Sequence, residues 1–496
     1  MVEVKSRVQS CNNMEKIKQY LIFGEFAEFG KFAIATLIGL SIFSLLAVNF
    51  VPPEYIVAVD VAVVIILAMA VYPLGGLCLI VLLYPFNNWQ LVWGGLNVPY
   101  VDLVALFLFI AVALRSAVNF VNEPERQGKT WLLKKWPAII FAGLFFAASA
   151  LAIVHNYPDW ASAVKYLLRP LIFFYLMFVI LPMNIIKDKA EFCRVLHAFL
   201  MVGLIVAGMG FLSVLSASGP GWFKYRAMPF AFGDFNPLGG NHNAIAEVLA
   251  AVIPLTFLLS LLTDKIKVRG WYILAILFMT IILFLTLSRS GWLALIVELI
   301  ILYFIRYRHK FNLYAAASFV VVFLLVVLLA YFTVWQYVDW TRTSNANRLL
   351  LTGISWNNFL DRPFIGHGLN SFRRLVGSTF VYEVEFGDPL ESHGFVQKIL
   401  TESGLLGLLS FLSLLGYLAY SYGKGYIKAR HLSAKWIIAC LIMMLGGMVV
   451  FELFSTSYFL AVMWLPIGVG LRGVELYGRE ESFRQRTDAS SGANGS

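Results

Sequence analysis

Long apolar runs separated by short polar connectors fill most of the chain, and this pattern predicts a protein that crosses a membrane many times. A spanning helix needs about 20 predominantly apolar residues. Two closely spaced runs, broken around Pro73, lie within residues 55–86. The other runs are centred on residues 30–51, 100–119, 137–154, 166–183, 195–217, 242–262, 271–288, 290–305, 313–335, 394–422, 434–451 and 454–471. We therefore expect an all-α polytopic membrane protein with about 12–14 transmembrane helices.

Composition and charge agree with this class. Hydrophobic residues make up 60% of the 496 residues and charged residues only 13%, whereas soluble globular domains carry about 25% charged residues. Cytoplasmic loops are enriched in Lys and Arg. With the higher span count and a cytoplasmic N-terminus, 27 of the 38 Lys and Arg residues fall in cytoplasmic segments. Membrane topology thus accounts for the net charge of +10, and we expect no nucleic-acid partner.

One long polar interval divides the chain. We predict a cytoplasmic amphipathic N-terminus at 1–29, a transmembrane scaffold at 30–335 and a large outer loop at 336–393. C-terminal transmembrane helices follow at 394–472, and a cytoplasmic polar tail at 473–496. If the protein performs chemistry, we expect it in the outer loop, where charged side chains collect beside the membrane.

Arg289 lies where two apolar runs meet with almost no loop between them. Arg289 is therefore expected at or below the outer membrane surface, where an arginine normally has an anionic partner. Its planar fork suits phosphate, because it donates two parallel hydrogen bonds and stays charged. A structural salt bridge to Glu247 or Glu298 is the alternative.

A short amphipathic helix on the bilayer is predicted from Arg342 to Phe359, because its apolar residues recur at three- and four-residue spacings. Arg348 would then lie near the helix N-terminus, where backbone N–H groups also attract anions.

A second helix start is predicted in the same loop. Asp388, Pro389 and Glu391 have the order of an N-cap, a first-turn proline and a capping carboxylate. His393 would then lie in the first turn, with Gln397 on the same face. An imidazole can act as a general base near neutral pH. The alternative is that His393, alone in an outer loop, is only a polar surface residue.

Other polar residues sit at the predicted outer ends of spans. Lys165 and Arg169 are four residues apart, so they would share a helical face and bind lipid head groups or an anionic substrate. Asp102 is expected to be reached by water and to need no function. His242 begins a span, and Glu247 lies one turn inside it, where a helix-to-helix hydrogen bond would satisfy the carboxylate.

Several catalytic motifs are absent. The sequence has no HExxH, no paired Cys/His metal spacing, no Walker loop and no GxSxG. We therefore expect no metal and no cofactor, and a reaction on an anionic, lipid-linked substrate is the chemistry that remains.

Four segments resemble the signature segments of the O-antigen ligase and Wzy-type polymerase superfamily, and together they cover about residues 200–425. They are GNHNAIAEVLAAVIPL at 240–255, SRSGWLAL at 288–295, NRLLLTGISWNNFLDRPFIGHGLNSF at 347–372 and SHGFVQKILTESGLLGLLSF at 392–411. The resemblance implies a glycosyltransferase C-like fold with a large periplasmic loop containing short helices.

The resemblance also implies site residues. Arg289 and Arg348 match the two family arginines that bind pyrophosphate, and His393 matches the family general base. Gly394 stands where the family usually has Asn. Gln397, His242, Glu247, Lys165 and Arg169 are possible supporting residues. The implied reaction is metal-independent and inverting.

Three functions remain open. A ligase would transfer a glycan from undecaprenyl pyrophosphate to a sugar hydroxyl of lipid A-core at the periplasmic face of a bacterial inner membrane. A Wzy-type polymerase would extend a second lipid-linked glycan. A transporter or flippase would only move its cargo, and the absence of an internal repeat disfavours it. We favour the ligase, with the lipid-linked donor, lipid A-core and membrane lipid as partners. The oligomeric state stays open.

Overall fold

The computed structural model describes residues 26–93, 96–122, 133–155, 159–217, 224–307 and 338–478. Most of these residues are helical. Four predicted features lie wholly or largely outside the described residues: the amphipathic N-terminus, the charged connector after residue 122, the span at 313–335 and the C-terminal tail.

Helices account for nearly all of the described architecture. Their bounds are α1 Phe26–Ala47, α2 Pro53–Val71, α3 Pro73–Leu83, α4 Tyr100–Asn122, α5 Ile139–Ala152, α6 Trp160–Ile185, α7 Lys189–Leu215, α8 His242–Leu262, α9 Ile266–Leu285, α10 Arg289–Tyr307, α11 Val338–Asp361, α12 Phe372–Gly377, α13 Phe380–Phe386, α14 Phe395–Lys428, α15 Leu432–Glu452 and α16 Ala461–Gly478.

The fold class predicted from hydropathy is confirmed. Within the described ranges, nine helices are long and apolar enough to cross a membrane, and Pro73–Leu83 and Ile139–His155 are shorter apolar helices. The protein is therefore a multi-pass membrane protein. The break predicted near Pro73 separates α2 from α3.

Two details differ from the sequence prediction. A short antiparallel hairpin, with strands β1 Gln90–Trp93 and β2 Leu96–Pro99, interrupts the otherwise helical order. The last predicted span, at 454–471, begins later, at Ala461. The residues before it form turns, and the Ser457 hydroxyl in this stretch donates to Glu247 on α8 (3.1 Å). Hydropathy alone does not detect such a turn.

Helix α8 is the most buried of the candidate spans in the described residues. It is apolar around its whole circumference, as expected of a helix surrounded by protein. Asn241 caps it by accepting a hydrogen bond from the Asn243 backbone N–H (2.9 Å). Helices α7, α9, α10 and α15 pack around it, so its first turn is fixed at one end of the bundle. We call this the site end.

Helix α14 is broken at Gly404, whose backbone angles (φ 63°, ψ −160°) are available essentially to glycine alone. The break frees backbone groups that residues 363–368, which we call the clasp, then satisfy. The four hydrogen bonds are His367 N to Thr401 O (2.9 Å), Gly368 N to Glu402 O (3.0 Å), Leu405 N to Pro363 O (2.8 Å) and Leu406 N to Phe364 O (3.1 Å). The large loop is thereby attached to the C-terminal helices.

We expect Gly404→Ala to lower the stability of the protein by about 1–3 kcal/mol, the usual cost of overpacking. An added Cβ would lie 2.5 Å from the Phe364 carbonyl carbon and would be held at a strained φ. The melting temperature of the purified protein measures the effect. Gly416→Ala on the same helix is the matched control, because a Cβ there meets open space. Equal melting temperatures for the two variants would contradict this account of the kink.

Candidate active site

The site end of the bundle brings together the first turns of α8 and α10 and the segment before α14. In the large loop, α11 and α12 pack against α14 and against each other, and α13 packs against α12. This part of the loop has a small core of its own, made of Leu351, Ile354, Phe372, Val376 and Tyr382. The loop is therefore a folded unit that can hold side chains in fixed positions.

The α9–α10 junction is a tight turn held against the start of α8. Leu287 adopts a left-handed φ of 53° there. The Ser288 hydroxyl donates to Asn243 Oδ1 (2.7 Å) and accepts from the Gly291 backbone N–H (3.3 Å). Arg289 follows as the first residue of α10, so its direction is set by this turn.

Arg289 reaches from α10 to α11. Both terminal nitrogens of its guanidinium donate to Asn345 Oδ1, each at 3.1 Å. The side chain is exposed, and this partner is a neutral amide. The alternative of a salt bridge to Glu247 or Glu298 is therefore not what the structure shows.

Arg348 lies in the third turn of α11, which begins at Val338. The prediction that it sits at a helix N-terminus is wrong, because the polar residues before it continue the helix. Its Nε is buried and has no hydrogen-bond partner among the described residues. Burial and the positive charge of Arg289 lower the pKa of Arg348. The two cations are close enough to repel each other.

A third cation, Arg226, was not predicted from the sequence. It is buried, and its Nε donates to the Thr286 carbonyl just before the α9–α10 turn (2.7 Å). Burial and the charge of Arg289 lower the pKa of Arg226 to about 10. Three guanidinium groups thus share one region, and an anion placed among them would relieve their mutual repulsion.

His393 precedes α14 rather than lying in it. The helix begins at Phe395, so the prediction of a helix start at Asp388 is wrong. The Pro389 carbonyl accepts from Arg373 Nε (2.9 Å) and the Glu391 carboxylate binds Lys398 (2.5 Å). These contacts hold the segment outside the helix, and the Glu391 carboxylate binds Lys398 and not a helix N-terminus. We call residues 387–394 the strap.

Gly394 ends the strap at a point of close approach. A Cβ on this residue would overlap the Leu453 backbone carbonyl. An Asn, the residue usual in the family, would not fit without movement of the α15 end. The departure noted in the sequence therefore has a steric reason.

The environment of His393 favours the neutral imidazole. Burial, and then the positive charge of Arg348, lower its pKa to about 4. A neutral imidazole has a ring nitrogen able to accept a proton at physiological pH. The histidine and two arginines predicted from the sequence thus lie in one site.

We expect kcat/KM to stay constant from pH 7 down to about 5 and to fall about tenfold per pH unit below about 4. The expectation follows if the neutral His393 imidazole acts as the base, because protonation removes its accepting nitrogen and the protonated fraction rises as the pH falls through the pKa. Initial rates across this range, with tryptophan fluorescence to check folding, provide the measurement. A fall centred near the ordinary histidine pKa of about 6.5 would contradict the effects of burial and Arg348.

Gln397 connects α14 to α11. Its Nε2 donates to Thr352 Oγ1 (2.7 Å), one turn after Arg348, while its Oε1 is buried without a partner in the described residues. The predicted shared face with His393 is wrong, because His393 is not helical. Gln397 supports the site by holding α11 against α14.

Comparison with known families is informative for this part of the chain. Residues 274–412 match the family model described as O-antigen ligase. We call residues 274–412 the matched segment. The resemblance predicted from the four segments is confirmed for this part of the chain, and the match supports a membrane glycosyltransferase activity of the ligase or polymerase type. No curated protein matches the chain.

The matched segment contains Arg289, Arg348 and His393, whereas Arg226 and His242 precede it. His242 opens α8, and its electrostatic neighbours are Arg226 and Arg348. These two residues therefore extend the site beyond the matched segment. The sequence signal for Arg226 was weak, a single arginine in a turn-rich loop.

The remaining predicted residues lie outside the site or deeper in the helix bundle. The Glu247 carboxylate accepts a hydrogen bond as expected, but the donor is Ser457 in the turn before α16 and not a residue of another helix. Arg169 forms an ion pair with Asp102 (3.1 Å), and Asp102 is buried rather than reached by water. Lys165 is exposed. Pro170 and π-helical turns after residue 166 change the helical spacing, so the shared-face argument does not apply to this pair.

His367 belongs to the clasp. Its Nε2 contacts the Asn358 carbonyl (2.8 Å), and its backbone N–H binds α14. Burial, and to a smaller degree Arg362, lower its pKa, while the Asn358 contact raises it. Within the described residues, no group of three His, Cys, Asp or Glu side chains could hold a metal ion.

Proposed function

We propose that the protein is a bacterial inner-membrane O-antigen ligase. It transfers a glycan from undecaprenyl pyrophosphate to a sugar hydroxyl of lipid A-core, with the site facing the periplasm. The observation that carries the proposal is the electrostatic proximity of four groups at one end of the bundle: the charge of Arg289 acts on Arg226 and Arg348, and the charge of Arg348 acts on His393.

The donor half of the reaction needs a stabilised pyrophosphate leaving group. Arg289 and Arg348 donate to its oxygens and neutralise the charge that develops as the anomeric C–O bond breaks. Arginine suits this task because its fork matches phosphate oxygens and remains charged. Arg348 Nε, buried and without a partner in the described residues, is a donor available to the substrate.

The acceptor half needs a base. The neutral His393 imidazole takes the proton from the acceptor hydroxyl as the oxygen attacks the anomeric carbon. Attack occurs opposite the departing pyrophosphate, so the anomeric configuration inverts. The transfer takes one step and requires no enzyme nucleophile.

The test is identification of the product. Purified protein is incubated with an undecaprenyl pyrophosphate-linked glycan and either lipid A-core or a second lipid-linked glycan. The ligase predicts glycosylated lipid A-core with inverted anomeric configuration. Glycan extension on the lipid carrier alone would instead assign the polymerase, and no transfer to either acceptor would refute both.

We also expect the reaction to proceed without a divalent cation. The arginine cluster supplies the positive charge that a metal supplies in other glycosyltransferases. Activity after dialysis against EDTA should equal the untreated activity. Complete loss in EDTA, with recovery on adding Mg²⁺ or Mn²⁺, would refute the prediction.

A further inference from the structure

The strap that carries His393 is tied to the protein on two sides. Arg373 of α12 donates to the Pro389 carbonyl (2.9 Å). Lys398 of α14 binds the Glu391 carboxylate (2.5 Å). Glu391 is only two residues from His393, so the second contact is the nearer restraint on the imidazole.

Lys398 is unusual because it is a fully enclosed lysine, with 1% of its surface exposed. Its ammonium group lies 3.3 Å from Glu402 Oε1 and over the rings of Tyr166 (5.4 Å) and Phe459 (5.7 Å). A buried charge is tolerated only with such partners. The side chain has little freedom to move.

Glu402 connects Lys398 to α12 and to the clasp. The oxygen that faces Lys398 also accepts from the Phe372 backbone N–H at the start of α12 (3.2 Å). The Glu402 backbone carbonyl binds the clasp at Gly368. Lys398 therefore joins the strap to a rigid point where α14, α12 and the clasp meet.

We propose that Lys398 is a positioning residue for the transfer reaction, acting through Glu391 to hold the strap so that the His393 imidazole faces Arg348 and the acceptor hydroxyl. This inference rests on the proposed function. Nothing in the O-antigen ligase match assigns a role to either Lys398 or Glu391.

The physical argument concerns the one-step transfer. Its rate depends on the distance between the base and the acceptor oxygen, and a misplacement of about 1 Å can cost about 10²-fold. The hydrogen bonds of the strap at Ser392 and Arg373 restrain its backbone. The Glu391–Lys398 ion pair ties it to a buried group. Loss of this pair frees the imidazole while the substrate arginines stay in place.

Glu391→Gln is the decisive variant, because it removes the charge of the strap partner and leaves the buried Lys398–Glu402 pair intact. Full-length protein in nanodiscs is assayed with an undecaprenyl pyrophosphate-linked disaccharide and lipid A-core. We expect kcat to fall by about 10- to 100-fold with the donor KM changed less than about twofold. Glu385→Gln, an exposed carboxylate of α13, is the matched control and should retain wild-type kinetics.

The pH profile separates positioning from general stability. An imidazole released from its buried place beside Arg348 should regain a more ordinary pKa, so the acid limb of kcat/KM should move from about 4 toward about 6.5. A merely structural role lowers the melting temperature and leaves the limb in place. Lys398→Met should shift the limb in the same direction, with a lower melting temperature because Glu402 loses its counter-charge.

Two results would overturn the inference. One is a Glu391→Gln variant with wild-type kcat. The other is a lower kcat with an unshifted acid limb. A His393→Ala variant that retains activity would instead refute the proposed function itself, so the two failures are distinguishable in one set of assays.

Discussion

Replacing His393 with alanine should lower kcat by about 10²–10⁴-fold, the range for loss of a general base. Donor binding should be nearly unchanged, because Arg289 and Arg348 remain in place. The imidazole is held by the strap, outside the helix, so its removal leaves the backbone hydrogen bonds of α14 intact. Single-turnover transfer rates and equilibrium binding of the lipid-linked donor provide the two measurements.

His367→Ala is the control within the same loop. The substitution removes one side-chain contact, to the Asn358 carbonyl, and keeps the backbone hydrogen bond to Thr401. We expect a mild effect on turnover. Loss of transfer in His367→Ala with retention in His393→Ala would move the catalytic site to the clasp.

The second large effect concerns Arg289 and Arg348 of the matched segment. Arg289→Ala or Arg348→Ala should each lower kcat by about 10²–10³-fold, as does loss of one preorganised donor to developing charge. Lysine should restore only part of the rate, because a point charge lacks the paired donors of the guanidinium. Expression and membrane insertion should match the wild type.

Arg362→Lys is the matched control, because Arg362 is an exposed arginine of the same loop outside the site. Steady-state turnover of the three lysine variants makes the comparison. Wild-type turnover in both Arg289→Lys and Arg348→Lys would refute the role of a bidentate clamp. The same loss in Arg362→Lys would indicate that the loop needs guanidinium groups in general, not a clamp formed by Arg289 and Arg348.

The helix start predicted from the local sequence at Asp388 was wrong because contacts between residues distant in the chain determine the structure there. Asp388, Pro389 and Glu391 have the residue types of a helix start, yet α14 begins at Phe395. The Glu391 side chain that would close a capping box binds Lys398 instead. A local propensity of about 1 kcal/mol is outweighed by the need to neutralise a buried ammonium group.

Helix α11 shows a similar limit. Its pattern predicted a helix from Arg342, with Arg348 at the anion-binding end, but the helix begins at Val338. Its position depends on contacts such as Ser355 with Thr401 (2.8 Å), which join residues distant in sequence. The anion-binding potential of Arg348 therefore comes from its side chain and its neighbours, not from a helix terminus.

The sequence by itself determined the fold class and most of the spans, and it predicted Arg289, Arg348 and His393 as site residues. In lipid every backbone polar group must be bonded within the protein, so apolar segments become helices whose positions hydropathy reveals. The segments around Arg289, Arg348 and His393 carried the family resemblance. The tertiary structure alone decided that Arg226 joins them, that Gly404 breaks α14 and that Lys398 anchors the strap. Each of these depends on contacts between residues far apart in the chain, which no local pattern encodes.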